Sequence, residues 1–412
     1  MKLRHAALTS LVLLTALTTM TSGQQAPADW PQWRGPNRDA AGSFTVPATW
    51  PEQLTQKWKV EVGLGYATPL VVGNRVYMFS RQGDNEVMSA LDPANGMAVW
   101  QTRYPAAFTM HQAAARHQAG PKSTPAFANG RLYSIGMTGA VTALDAASGR
   151  QLWQKPGSSV VPMYVTHAFS PLVDRGLVIF HVGGHNQGAL TAYDATSGDV
   201  KWQWTGDGPG YGSPIVADLG GVHQIVTITQ GKVVGVDAAN GTLLWERPFV
   251  ASNFTNAMTP LLYGQTIVVG GAGGATQAFT VTRSNNQWST TNAWESADAP
   301  LRLSNALIVG DAVFGLSNRN MGQYFSLDAK TGKTLWTSEP RQAAQAAIVR
   351  AGNVVMSLHD DGSLVVFRSG PTAFETLKRY KVAESETWTQ PVLSGNRIFV
   401  KDVSTLALWT LN

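Results

Sequence analysis

Seven residues stand at one recurrent place in the chain. Tyr66, Lys122, His167, Tyr211, Asn256, Arg302 and Trp388 each lie three or four residues ahead of a proline or proline-like position that opens an apolar run. Aromatic faces hold apolar or cationic groups, while Arg and Lys hold anions. Calcium binding and general acid–base work need carboxylates, and this set has none. Asp207, in TGDGPGYG, is the nearest acidic residue. The set therefore suits binding better than bond-breaking.

The other candidates are weaker. His181 and His185, in HVGGHNQG, flank an expected hairpin tip and read as surface histidines, because a Gly-Gly hairpin does not bring them to one face. His111 and His117 belong to AAFTMHQAAARHQAGPK, an insertion expected to form a short helix capping one face of the fold. HDDGS (residues 359–363) has the Asp-Gly chemistry of a hairpin turn. There is no GxSxG, Walker A or HExxH motif. The chain has no cysteine, which excludes disulfides, thiolate metal sites, a lipid-modified N-terminal cysteine and covalently attached c-type haem.

Composition indicates what must position these residues. Charged residues make up only 14% of the 412, against 41 Gly and 14 Trp, which favours β-structure with many tight turns. Lys2, Arg4 and His5 followed by the apolar stretch 6–20 read as a secretory signal over residues 1–23, too short for a membrane span. Without Lys2 and Arg4 the formal charge falls from +5 to +3. No Lys/Arg run forms a nucleic-acid stripe. The expectation is an exported monomer, periplasmic or secreted, not a lipoprotein, without a transmembrane domain in the mature chain and without a nucleic-acid partner.

A repeat organises the rest. Five segments keep Gly four residues after Asp and Trp four after Gly: Asp92, Gly96, Trp100; Asp145, Gly149, Trp153; Asp194, Gly198, Trp202; Asp237, Gly241, Trp245; and Asp328, Gly332, Trp336. The Asp can accept hydrogen bonds from turn amides, the Gly can take a positive φ, and the Trp begins the next strand with a large surface to bury. These residues are structural turn and docking residues. Eight copies of a second pattern, such as ATPLVVGNRVYMFS and TQPVLSGNRIFVKD, precede the turns. The fifth turn, near residues 280–294, is degenerate, and the seventh is replaced by FRSGPTAFETLKRY.

Each unit makes four short antiparallel strands that cannot bury both faces alone, so the units pack radially as an eight-bladed all-β propeller. The eighth unit lacks its fourth strand, and QKWKVEV near the N-terminus, with Trp58 in the place of the outer Trp, is expected to complete it. This divides the chain into a signal (1–23), an N-terminal extension packing on the propeller (24–56) and the propeller (57–412). The stretch DWPQWRGPNRD in that extension is expected to be a structural peg against the outside or base, with Arg34 and Arg38 pairing with acidic groups.

The repeat, and DWPQWRGPNRD itself, resemble the pyrroloquinoline quinone (PQQ) repeat family over residues 28–412. That family contains quinoprotein alcohol and sugar dehydrogenases using PQQ and Ca²⁺, and BamB-like propellers that bind protein without a cofactor. The carboxylate-free set and the missing redox motifs favour the second branch. The expectation is a non-catalytic binding or scaffold protein of the cell envelope that takes a protein, peptide or envelope polymer. Its binding residues would be Tyr66, Lys122, His167, Tyr211, Arg302 and Trp388 on the axial face, with no cofactor and no metal. The alternative is a PQQ- and Ca²⁺-dependent dehydrogenase.

Overall fold

A computed structural model describes residues 29–369 and 374–412. The expected signal segment lies outside them. Eight antiparallel sheets follow one another along the chain, over residues 70–105, 126–155, 172–204, 215–248, 261–296, 307–337, 346–381 and 392–410. The first seven have four strands each. The eighth takes its outer strand from Thr55–Glu61, which runs antiparallel to Thr405–Thr410. This is the expected closure. A further strand, Ser43–Phe44, lies parallel to Val392–Gly395 on the inner edge of the same blade.

The turn residues behave as their types require. The Asp92, Asp145, Asp194, Asp237 and Asp328 carboxylates accept hydrogen bonds from backbone amides of their own turns. Gly198 and Gly241 have φ of 75° and 74°. A Cβ on either would come within 2.7 Å of Trp153 or 2.5 Å of Trp202, the tryptophans of the preceding blades. The indole Nε1 of Trp58, Trp100, Trp153 and Trp202 each donates to a carbonyl of the next blade's turn, at Pro93, Ala146, Ala195 and Ala238. Trp294, inside the degenerate fifth turn region, docks in the same way, on the Ala329 carbonyl.

One tryptophan of the motif departs from this because the blade after it has no Asp-Gly turn. Trp245 donates to Gln224 Oε1 within its own blade and meets Phe279 edge-on. Trp336 packs on Phe314 and Phe374. The outer strand pair of every blade, the seventh included, carries a register shift. Such a bulge re-aims the following side chain toward the neighbouring blade. The contrast gives a prediction. Trp202→Ala, which removes both a buried ring and its interblade hydrogen bond, should cost about 3–5 kcal/mol in urea unfolding. Half-buried Trp100→Ala should cost less. Equal small losses at both would show that the docking does not stabilise the ring of blades.

The N-terminal extension corrects an expectation. Residues 30–44 do not lie on the outside or base but thread into the axial channel. Trp30 pairs with Val71, the Pro31 carbonyl accepts from Phe127, and Ala40 and Gly42 bond Arg350 of the seventh blade. Trp30 and Arg34 are fully buried. Arg34 and Arg38 do not pair with acidic groups on a neighbouring blade. Arg34 donates to the carbonyls of Arg38 and Ala306, and Arg38 to those of Ser170 and Pro171. The first turns of the innermost strands expose carbonyls toward the axis, and a planar guanidinium with five donors can bond several of them at once. Burial lowers both groups, Arg34 to about 10 and Arg38 to about 9.

Candidate functional site

A pocket of about 290 Å³ opens on the axis, on the face formed by the segments that lead into the innermost strands. Five of the seven residues singled out by position meet there: Tyr66, Lys122, Tyr211, Arg302 and Trp388. The 3₁₀ helix Gln112–His117 covers one side and contributes Ala113, Ala114 and His117, so the insertion does form a short helix over this face. Trp33, from the channel-threading segment, completes the wall and is anchored by a 2.9 Å bond from its Nε1 to Thr259 Oγ1. Sequence reasoning missed Trp33, because its place depends on the extension entering the channel.

The wall is aromatic and cationic. Lys122 Nζ sits 4.5 Å above the Tyr66 ring and donates to the carbonyls of His117 and Gln118. Burial, and then the Lys401 ammonium, push Lys122 down to about 7. Trp388 meets His117 edge-on at 4.8 Å, and the Arg116 guanidinium lies 6.0 Å from its ring. Burial holds His117 below the usual histidine range. Burial raises the Tyr66 and Tyr211 hydroxyls to about 12, and the Tyr211 oxygen accepts from the Tyr164 amide. No Asp or Glu lines the pocket, and the nearby Glu386 accepts from Trp388 Nε1.

His167 and Asn256 are not in the pocket. His167 is buried against Gly139 while its neighbours Val165 and Ala168 face the cavity. Thr166 just before it has φ of 64°, a left-handed turn that swings the next side chain away. Asn253 and Phe254, at φ 55° and 57°, do the same ahead of Asn256. The Asn256 amide instead donates to the carbonyls of Thr229, Gln230 and Phe249. His181 is not a surface residue either. It is fully buried on the strand Leu177–Gly184, 3.1 Å from the Asp207 carbonyl, while His185 packs half-buried against Phe254 and Tyr211. His359 is buried beside the Tyr324 hydroxyl, and Asp361 makes the expected hairpin bond to Ser363.

A quinone with calcium needs oxygen ligands of high charge. The pocket's tyrosines, indoles and cations supply none, and Lys122 and Arg302 would repel the ion. Asp207 lies in a separate groove between the second and third blades. Its Oδ2 is occupied by Thr229 Oγ1 and the Gly231 amide. Among the described residues no three His, Cys, Asp or Glu side chains group as metal ligands. The donor set does not fit a calcium–quinone centre.

Comparison with known proteins agrees with this architecture. The chain is 25% identical over 196 residues to outer membrane protein assembly factor BamB of Moranella endobia, a match covering 48% of this chain and 46% of that protein. The match thus spans less than half the length of that curated relative. Its fold matches crystalline BamB from Moraxella catarrhalis with a TM-score of 0.58 at 17% identity, over 87% of this chain and 99% of the other. It also matches a quinohemoprotein alcohol dehydrogenase from Pseudomonas putida HK5 with a TM-score of 0.66 at 15% identity, over 93% and 80%. Those two likenesses show the propeller and do not choose between binding and redox chemistry. The sequence profile described as outer membrane protein assembly factor BamB matches residues 83–320, more than half of the chain. With its turn-and-tryptophan repeat seated in a closed eight-bladed ring, the chain belongs to that family.

Proposed function

We propose that the chain is a non-catalytic, exported propeller of the cell envelope that binds a protein partner through its axial face, as a monomer and without a cofactor. The observation that carries this reading is the pocket wall, which is aromatic and cationic and has no carboxylate to act as base or to hold calcium. Aromatic and Arg side chains are the types that most often dominate interface energy. The family description and the Moranella endobia relative support a protein partner in the envelope. No helix among the described residues is long and apolar enough to cross a membrane.

The test separates the two branches. Purified protein is mixed with PQQ and Ca²⁺, and cofactor absorbance and dye reduction are followed with alcohols and sugars. The expected result is no stoichiometric uptake and no turnover. Uptake with turnover would replace this reading with a quinoprotein dehydrogenase. In parallel, immobilised protein is exposed to cell-envelope extract. A discrete partner, retained by the parent and reduced at least about tenfold by Trp388→Ala with unchanged melting, is expected.

A further inference from the structure

The axial pocket has an inner compartment. A recess of about 50 Å³ adjoins it, sharing Trp33, Leu303, Asn305 and Trp388, and is lined also by Gln390. Gln390 is 1% exposed, yet neither its Oε1 nor its Nε2 has a partner among the described residues. A buried amide with both ends unpaired is costly and uncommon in folded proteins. A group presenting a donor beside an acceptor would satisfy both ends, and a peptide or carboxamide group does so. A cavity of about 10–15 Å³ already holds one water, so the recess has room for a small polar group.

The mouth has the opposite character. Arg302 is exposed and makes no hydrogen bond or ion pair among the described residues. The Arg116 guanidinium lies over Trp388 and Lys122 lines the same pocket, while the Glu386 carboxylate accepts from Trp388 Nε1. The rings of Tyr66 and Trp388 are in tilted contact at 6.2 Å and form one aromatic wall of the pocket, and Trp388 also borders the recess. The pocket thus offers an amide-reading end, an aromatic wall and a cationic rim. Its volume lies near the lower limit for ligand sites, about 300 Å³, which suits one large side chain with its backbone and not a folded element.

We propose that this pocket takes an extended acidic polypeptide segment. One large apolar side chain packs against the wall that Tyr66 and Trp388 form, an amide of the segment pairs with Gln390, and a carboxylate pairs with Arg302. This rests on the reading that the axial face binds protein, and it specifies the chemistry of what enters.

The probe is a displayed library of random seven-residue peptides, panned on the whole protein. Enrichment of sequences with Asp or Glu flanking an aromatic residue is expected. A synthetic peptide from that pool should change tryptophan fluorescence on binding. It should lose about tenfold or more in affinity to Arg302→Glu, which sets a like charge against the segment's carboxylate, and to Gln390→Leu, which leaves the segment's amide unpaired. Both variants should melt no lower than the parent, since Arg302 is unpartnered at the rim and Gln390→Leu removes two unsatisfied atoms. If Gln390→Leu fails to fold, Arg302→Glu still decides. Enrichment of basic sequences, no enrichment at all, or equal affinity for Arg302→Glu would overturn the proposal. So would binding of free 3-phenylpropionate as tight as that of the peptide, which would assign the pocket to a small acid. If no peptide is enriched while envelope extract still yields a discrete partner, this proposal falls and the protein-binding reading stands.

Discussion

A chain lacking residues 24–62 is expected to aggregate and to show no cooperative thermal transition. The deletion removes the outer strand Thr55–Glu61 of the eighth blade and leaves Thr405–Thr410 as an unprotected edge. It also removes Trp58, whose ring packs on Gly96 and whose Nε1 bonds the Pro93 carbonyl across to the first blade. Loss of that buried ring alone would cost about 3–5 kcal/mol, against a total stability on the order of 5–15 kcal/mol for a folded domain. Buried Trp30, Trp50 and Leu54 go as well, with the Arg34 and Arg38 bonds that join the third and sixth blades through the channel. A smaller deletion, residues 24–44, separates the two contributions. It empties the channel and removes Trp33 from the pocket wall but keeps the closing strand. That chain should remain soluble and cooperative with a lowered melting temperature. Size-exclusion chromatography and thermal unfolding read both. A soluble, cooperatively folding 24–62 deletion would refute closure by the N-terminal strand.

The propeller was legible because its signals are local and repeated. Asp, Gly and Trp at fixed spacing specify a turn and the strand after it, and Trp58 near the other end of the chain indicated closure. What was not legible depends on a neighbour that the local pattern does not contain. Trp245 carries the same motif as Trp202, but the fifth blade beyond it has no Asp-Gly turn to receive the ring. Trp294 has no such motif and docks fully, because the sixth blade supplies the turn. The site divides in the same way. Position alone brought five residues to the pocket, since the segments leading into the innermost strands all converge on the axis. His167 and Asn256 failed because left-handed residues just ahead of them redirect the side chain, and Thr166 and Phe254 give no sign of positive φ in their residue types. Arg34 and Arg38 were expected to find carboxylates and found carbonyls. Backbone acceptors leave no trace in a sequence.

The protein is expected to lose much of its stability between pH 7 and pH 5. Burial holds three histidines neutral: His167 is lowered to about 3, and His181 and His359 to about 4. In the unfolded chain each titrates near 6.5, so below that pH the unfolded state binds more protons than the folded one. The stability they contribute is complete above about pH 6.5 and is lost as pH falls toward their folded values. At pH 5 the loss is roughly 2 kcal/mol for each histidine, from 1.36 kcal/mol per unit. Glu86 opposes them. It is fully buried with one oxygen unpartnered, and burial raises it to about 7, so it favours the folded state increasingly as pH falls from 7 toward 4.5. One such carboxyl offsets about one of the histidines, and a net loss of several kcal/mol remains. Urea midpoints at pH 7, 6 and 5 measure it. His359→Leu tests the assignment, because Tyr324 keeps its bond to Ser357 Oγ when the imidazole is removed. That variant should be less sensitive to acid by about a third of the histidine contribution, whatever its stability at pH 7. A midpoint that does not move between pH 7 and pH 5 would mean that protonation reaches these rings without unfolding the blades around them.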